Sequence, residues 1–211
     1  MRDCQGSGSA SWRNTTHDWS KSLDVEHLES IRRQPAAFAP GGTAHLVLEV
    51  LAYCADEAQS AGGGYATVVL CADGSVVIAD GGRGTDTRRD GHGHTVKKPV
   101  MSTADLRFFN ASEPVLLPDG HPRRGMSVVA ALSAWLVHTN HRRNGSLTQR
   151  YKHGGPVTDL NPVLTDGAMG TTVHFLPDPT LVAAMHVTAS ELSQVARSLS
   201  GHLTTVVVHG S

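Results

Sequence analysis

The sequence is short of cysteine, with three among its 211 residues. Cys4, Cys54 and Cys71 are odd in number and lack the spacing of metal ligands. That pattern argues against a disulfide framework and gives no reason to expect a metal site. We therefore expect reduced thiols in a cytoplasmic protein.

Net charge and long apolar runs are also lacking. A formal charge of -1 and an isoelectric point near 6.9 give the chain no electrostatic attraction for nucleic acid or for a membrane surface. No apolar run reaches the roughly 20 residues that span a bilayer. The first residues also lack the charged-then-apolar layout of a signal peptide. We expect neither direct nucleic acid binding nor membrane association.

The chain divides into a polar tail and one domain. Residues 1–23 are rich in Ser, Gly and Thr, which predicts a mobile segment. Trp12 and Trp19 give this tail a means of docking onto the domain or onto a second subunit. Residues 24–211 are long enough to bury a sizeable core as a single domain.

The longest helix is predicted at Gly42–Ala61. His45, Glu49 and Tyr53 recur at helical spacing and share one face with Asp56 and Glu57. A face that sets carboxylates beside bulky apolar residues is either a solvated stripe or a surface that uses its acids.

A strand pair, residues 66–72 and 75–79, is expected next, and it ends in an Asp-Gly-Gly-Arg-Gly turn. Asp80 at the strand end could accept a hydrogen bond from the amine of adenine, and Thr171 could add a second contact. Residues 120–125, which lead into a helix, could offer backbone amides to a phosphate. A carboxylate on the central helix could polarise water. The order of these features favours a nucleotide site.

Residues 85–124 are predicted to form a long, mobile lid with few apolar anchors and a short helix near 102–109. His92, His94 and His121 in this stretch are either a metal site or solvated loop histidines.

The remaining pattern predicts two layers. Helices are expected at 24–33, 125–135, after Pro177 and at 189–199, and strands at 136–141, 146–153, 171–176 and 203–208. The predicted fold class is α+β, a mixed and mainly antiparallel sheet with helices on one face.

Five sequence motifs occur in an order that matches a known family: EVLAYCADEAQ, SVVIADGGRGTD, GMSVVAALS, QRYKHGGPV and GTTVHFLPDP. They resemble the ATPase domain of the DNA gyrase B subunit and its topoisomerase IV relative, over residues 28–208. The resemblance implies a Bergerat-fold (GHKL) sandwich that holds ATP between its helices and a flexible lid.

The resemblance also implies residue roles. Glu49 corresponds to the general base, Asp80 to the adenine acceptor and Thr171 to its supporting hydroxyl. Arg83 corresponds to an arginine that pairs with Glu57 under the base. Arg142 is either the solvent-side arginine of the pocket or a plain surface charge. The other nucleotide-binding positions implied are Tyr53, Gly84, Thr85, Gly120, Arg123, Gly125 and Met126.

Three departures from the family pattern stand out. Tyr53 replaces the asparagine that ligates Mg²⁺, and a phenol suits this hard octahedral cation poorly, which puts Mg²⁺ binding in doubt. The glycine-rich lid has become GHPRRG, where Arg123 and Arg124 either pair with phosphate or block it. We also expect the protein to lack the transducer domain, with its γ-phosphate lysine, and the parts that handle DNA.

Two functions follow from this resemblance. The first is a stand-alone gyrase-B-like ATP-binding protein that is at best a weak ATPase. The second is a pseudo-ATPase whose pocket is reassigned to another small molecule or to a non-ATP reaction. The expected partners are a purine nucleotide or other small molecule, and a second copy of the chain or a protein partner.

Overall fold

The structure, a computed structural model, describes residues 16–210 except 19, 85–87, 90–94, 97–98, 110, 144, 165–166 and 185–187, and no side chain of 88–89 or 95–96. Helices span α1 (Val25–Arg33), α2 (Pro35–Phe38), α3 (Gly42–Ala61), α4 (Leu106–Phe109), α5 (Met126–Ala131) and α6 (Ala189–Ala196), with a 3₁₀ turn at Pro99–Met101. Strands span β1 (Gly64–Leu70), β2 (Val76–Asp80), β3 (Arg88–Arg89), β4 (Thr95–Val96), β5 (Ser133–His141), β6 (Ser146–Lys152), β7 (Gly155–Pro156), β8 (Asn161–Val163), β9 (Gly170–Pro177) and β10 (Leu203–His209).

Eight strands form the main sheet, in the order β10-β1-β2-β9-β5-β6-β7, with β8 also paired to β6. β1 and β10 run parallel, whereas β1–β2, β2–β9, β5–β9 and β5–β6 are antiparallel. The predicted mixed, mainly antiparallel sheet is therefore confirmed. β3 and β4 form a separate hairpin.

The central helix α3 has the predicted bounds because its sequence marks both ends. Its first residue, Gly42, has a φ of 62°, and a Cβ there would lie 2.7 Å from the carbonyl oxygen of Ala183. Gly62 ends the helix in the left-handed conformation, with a φ of 78°, which suits glycine. Leu46 and Leu51 are fully buried in the core that α3 shares with β1 and β2. The helix thereby fixes its acidic face against one edge of this core.

The helix predicted at 125–135 is shorter in the structure. α5 ends at Ala131, and β5 begins at Ser133 and pairs with β9 through a bulge between Ser133 and Trp135. The spacing of apolar residues could not locate this boundary, because a buried helix and a buried strand can both have a continuous apolar sequence.

The helix predicted after Pro177 is absent from the described residues there. Asp178 instead accepts hydrogen bonds from the backbone N–H of Thr180 (3.0 Å) and from its hydroxyl (2.6 Å). This side-chain turn competes with helix formation. α6 also stops at Ala196, three residues before the predicted end at 199.

The predicted lid is better anchored than its composition suggested. Met101, Phe108 and Leu117 are each at most 7% exposed. Ser102 donates a hydrogen bond to the carbonyl of Gly154 at 2.7 Å. The expectation of few apolar anchors is therefore wrong for residues 99–124. His92 and His94 lie outside the described residues.

The described end of the tail contacts this same segment. The carbonyl of Thr16 accepts a hydrogen bond from the backbone N–H of Leu106 at 2.9 Å, and His17 is 5% exposed. Trp12 and Trp19 lie outside the described residues. Within the part of the chain that is described, no helix combines the length and apolarity needed to cross a bilayer.

Phe175 tests the central position of β9. Its side chain is fully buried, and the strand lies between β2 and β5. We expect Phe175→Ala to lower the free energy of unfolding by about 3–5 kcal/mol. In urea titrations followed by circular dichroism, the control Val208→Ala, at a side chain 41% exposed, should lose about 1 kcal/mol or less. Equal losses in the two variants would contradict this core assignment.

Candidate functional site

A cavity of about 310 Å³ opens beside α3, between that helix and the ends of β2 and β9. Apolar side chains such as Val50, Met101 and Val173 form part of its wall. The predicted site residues that line it are Tyr53, Glu57, Asp80, Gly84, Met126 and Thr171. The sequence pattern thus brings half of the predicted site to one cavity.

Asp80 lies at the end of β2, half-buried, and lines the cavity. One carboxylate oxygen accepts a hydrogen bond from the backbone N–H of Gly82 at 2.8 Å, and the thiol of Cys54 lies 3.9 Å from the other. Burial raises the pKa of Asp80, although hydrogen bonds from the backbone of Gly82 and Thr171 oppose that shift. The strand end therefore presents a poorly solvated acceptor to the cavity.

Backbone packing fixes the strand end that carries this carboxylate. Gly170, with a φ of 121°, packs so closely on β2 that a Cβ would overlap the carbonyl oxygen of Asp80. Thr171 follows directly and lines the cavity beside Asp80. A glycine is required at 170 for this approach.

Arg83 and Glu57 form the predicted pair. The guanidinium donates to both carboxylate oxygens of Glu57, at 2.7 and 3.0 Å, and to the hydroxyl of Ser60 at 3.0 Å. The Arg83 side chain is 62% exposed and does not line the cavity, whereas Glu57 does. The pair ties the glycine turn to the end of α3.

Gly84 continues the turn with a φ of 73°. A Cβ at this position would lie 2.6 Å from the side-chain oxygen of Asn140 and 3.1 Å from Cγ of Arg142. Arg142 therefore lies beside the turn at the cavity rim, without lining the cavity itself. Thr85, the next predicted residue, lies outside the described residues.

The opposite end of the cavity holds Tyr53. Its hydroxyl donates a hydrogen bond to Asp105 at 2.8 Å, and burial raises the pKa of this phenol, as does the negative charge of Asp105. A Cβ at Gly125 would lie 2.8 Å from that hydroxyl oxygen, so the ring packs closely against the chain that enters α5. Tyr53 therefore lines the cavity next to the start of α5.

Two arginines surround Tyr53, and each is bound by an aspartate. Arg107 donates to both oxygens of Asp105, at 3.0 and 2.7 Å, and Arg123 donates to both oxygens of Asp56, at 3.1 and 2.7 Å. We call these four residues the arginine–aspartate cluster. Burial would raise the pKa of Asp105, but the hydrogen bonds and charge of Arg107 lower it.

Aromatic rings hold the two guanidinium groups in place. The Arg123 guanidinium lies 4.7 Å from the ring centre of Tyr53 and 4.3 Å from that of Phe108. Arg107 lies 4.8 Å from the Phe108 ring. Such contacts add to the ion pairs and leave the guanidinium planes little freedom.

Glu49 is fully buried on α3 and is not among the residues that line the cavity. Its two carboxylate oxygens accept hydrogen bonds from the backbone N–H groups of Arg124 (2.5 Å) and Gly125 (2.8 Å). The amides that the sequence suggested for phosphate thus bind an internal carboxylate. Gly120, the other predicted glycine, is exposed, with open space around it.

His45 links Glu49 to the surface. Its Nδ1 lies 2.6 Å from Asp119, and its Nε2 lies 3.6 Å from Glu49, which is an electrostatic contact too long for a hydrogen bond. Burial alone would lower the pKa of His45, but the carboxylates of Asp119 and Glu49 outweigh it and raise the pKa to about 9. A protonated His45 therefore balances the buried charge of Glu49.

The residues at this end do not fit Mg²⁺. The cation needs an octahedral set of oxygen ligands, several of them water. The Tyr53 hydroxyl is committed to Asp105, and both oxygens of Glu49 are committed to amides. The described residues also contain no group of three or more His, Cys, Asp or Glu side chains arranged to hold a metal ion.

Sequence reasoning missed Asp105, Arg107 and the partner of Arg123. The Asp-x-Arg spacing in the irregular stretch was the available signal, since an aspartate can pair with an arginine two residues on. Asp56 was placed on the acidic face of α3, but its arginine partner is 67 residues away in sequence.

Comparison with known proteins gives a consistent set of relatives. The chain is 30% identical over 178 residues to the DNA topoisomerase 4 B subunit of Bacillus subtilis, covering 82% of this chain and 27% of that protein. It is 37% identical over 172 residues to the chloroplastic/mitochondrial DNA gyrase B subunit of Nicotiana benthamiana, covering 73% and 23%. The chain thus spans about a quarter of the length of these relatives.

Solved structures give the same fold. The topoisomerase IV ATP-binding domain of Francisella tularensis, in complex with a small-molecule inhibitor, superposes with a TM-score of 0.62 at 22% identity. The match covers 79% of this chain and 45% of that one. No protein-family model matches the chain.

The raised pKa of His45 predicts a pH dependence of stability. A group whose pKa rises from 6.5 to about 9 on folding stabilises the fold fully below pH 6.5 and loses that contribution as the pH rises through 9. We expect the free energy of unfolding to fall over that interval by at most about 3 kcal/mol. Urea titrations at several pH values measure it.

His45→Gln should flatten this decline, because it removes the titrating group. The control His202→Gln, at an exposed histidine, should keep it. An unchanged decline in His45→Gln would rule out the linkage.

Proposed function

We propose, on the premise that this chain is a GHKL-fold relative of the DNA gyrase and topoisomerase IV B subunits, that it binds a purine nucleotide of the ATP type and hydrolyses it weakly or not at all. The expected cytoplasmic location and a second copy or protein partner belong to the same proposal. The observation that carries it is the state of Glu49, whose two oxygens are both bound by backbone amides.

The binding half of the proposal rests on Asp80. A purine presents an exocyclic amine and a flat apolar face, and the cavity offers a half-buried carboxylate among apolar walls. Pockets of this kind, mainly apolar with a few convergent polar groups, are typical of small-molecule sites. Thr171, next to the carboxylate, supplies a hydroxyl for a second contact or for a bridging water.

The weak hydrolysis rests on Glu49 and Tyr53. A general base must reach the proton that it abstracts, directly or through one water. Glu49 is bound to two amides and lies outside the cavity wall, so it is not poised for this role. Tyr53 stands where a metal ligand would be needed, and the loss of one electrostatic contact of that kind costs about 10²- to 10³-fold in rate.

A second candidate is a pseudo-ATPase whose pocket is reassigned to another small molecule or to a non-ATP reaction. The arginine–aspartate cluster favours it. Tyr53, Asp56 and Arg107 line the part of the cavity where the resemblance predicts the phosphates. Arg123 lies 4.7 Å from the centre of the Tyr53 ring and is bound by Asp56. The two candidates differ in the group that would bind there: the phosphates of a nucleotide in the first, and part of another small molecule in the second.

Asp80→Asn tests the purine assignment. Removing the negative acceptor should weaken binding of adenosine and ATP by about tenfold or more, since a hydrogen bond to a charged group is worth about 1.5–3 kcal/mol. Isothermal titration calorimetry measures the loss. Asp73→Asn is the matched control, because Asp73 is an exposed carboxylate in the turn between β1 and β2. Unchanged affinity in Asp80→Asn would remove the assignment.

Steady-state phosphate release tests the hydrolysis. We expect turnover far below the ordinary range of about 1–10³ s⁻¹, with little further loss in Glu49→Ala or in the isosteric Glu49→Gln. Tyr53→Asn should raise the rate by restoring an amide ligand. Tyr53→Phe, which keeps the ring, should not. Ordinary turnover in the unaltered protein, abolished by Glu49→Ala, would refute the proposal.

A further inference from the structure

We infer that the cavity selects an uncharged purine ligand of the nucleoside class over nucleoside di- and triphosphates. The protein's own carboxylates already occupy the groups that would bind the phosphates. This inference rests on the proposed purine pocket and refines its ligand: nucleotides of the ATP type should bind, but more weakly than the nucleoside with the same base.

The guanidinium groups are the first occupied receptors. A bidentate arginine binds a carboxylate and a phosphate through the same pair of parallel N–H donors. Asp105 takes both donors that Arg107 would use, and Asp56 takes those of Arg123. The Arg123 side chain is only 8% exposed, so a phosphate would have to displace Asp56 inside a confined space.

The backbone amides of Arg124 and Gly125 are the second occupied receptors. They point at Glu49, which is fully buried and whose charge the protonated His45 balances. A phosphate that took these amides would leave a buried carboxylate without hydrogen bonds, which is costly in a low-dielectric interior. Glu49 is held beside these amides by the fold, whereas a phosphate would have to enter from solution and displace it.

The charge of the wall also opposes a polyphosphate. Among the described residues, the charged side chains that line the cavity are three carboxylates, Asp56, Glu57 and Asp80, and one guanidinium, Arg107. Arg83 and Arg123 lie nearby, but each is bound to one of these carboxylates. Counted with their ion-pair partners, these groups are four carboxylates, since Asp105 pairs with Arg107, against three guanidinium groups, which leaves an excess of one negative charge. That charge disfavours an anionic ligand and leaves Asp80 to accept hydrogen bonds from a neutral one.

The size of the cavity points the same way. At about 310 Å³ it lies at the lower end of the range of about 300–1,000 Å³ that is usual for ligand pockets. The Tyr53 ring, which packs closely against Gly125, takes up part of the wall where the resemblance predicts the phosphates. The space suits a base with its sugar better than a triphosphate.

Calorimetry on the full chain with adenosine, AMP, ADP and ATP, each with and without Mg²⁺, tests this inference. We expect adenosine to bind tightest and each phosphate to weaken binding, with ATP weaker than adenosine by about tenfold or more. Mg²⁺ should not restore the affinity for ATP.

Substitutions at Asp56 and Arg123 test whether their ion pair keeps a phosphate from binding. Asp56→Asn removes the carboxylate partner of Arg123, and it should improve ATP binding about tenfold relative to adenosine. The Asp56 side chain is 47% exposed, so the substitution is compatible with folding. Glu29→Gln is the matched control: it removes the carboxylate partner of Arg33 on α1, outside the cavity wall, and should leave the ratio unchanged.

The double substitution Asp56→Asn/Arg123→Met provides the converse measurement, because it removes this ion pair without changing the net charge beside the cavity. If Asp56 already neutralises Arg123, the double variant should weaken ATP binding no more than adenosine binding. A selective loss of ATP affinity of about tenfold would overturn the inference.

The outcomes distinguish this inference from the function on which it rests. ATP binding as tight as adenosine, in a manner sensitive to Asp80→Asn, would overturn the inference and leave the purine pocket standing. Absence of binding by all four compounds would overturn both.

Discussion

The buried carboxylate of Glu49 is the group on which the arrangement of the cavity depends. A charge in the interior must be satisfied, and here two backbone amides and a protonated imidazole satisfy it. Because those amides belong to Arg124 and Gly125, the entry to α5 is bound to the middle of α3. That link positions the residues before α5, and the Tyr53 ring packs against them.

The sequence was sufficient where local chemistry decides the structure. Gly62 ends α3 because glycine adopts the left-handed conformation readily. The contact between Arg83 and Glu57 was instead predicted from the family resemblance, and the structure shows it. The sequence was insufficient where long-range packing decides. Whether Ser133 and Trp135 continue a helix or begin a strand depends on pairing with β9, which is distant in sequence. The partner of Arg123 was hidden for the same reason.

The part of the cavity at Asp80 and Thr171 agrees with the GHKL sequence pattern, whereas the part at Tyr53 departs from it. The end with Asp80 and Thr171 lies where the resemblance predicts the adenine contacts, and its geometry follows from backbone packing. The end with Tyr53 is built from side chains that pair with one another, and its pattern departs from the family. A shared fold does not by itself determine the chemistry at this end, which depends on the side chains present. Glu49 keeps its position on α3 while its hydrogen bonds serve the interior.

The close approach of Gly170 to the carbonyl of Asp80 has a consequence for redesign. Because backbone sets this acceptor, substitutions among the side chains at the far end should not displace it. The arginine–aspartate cluster could be replaced, for example to admit a larger or charged substituent, while the strand end that carries Asp80 keeps its position. Variants that change the cluster but keep Gly170 would alter that part of the cavity without moving the strand end that carries Asp80.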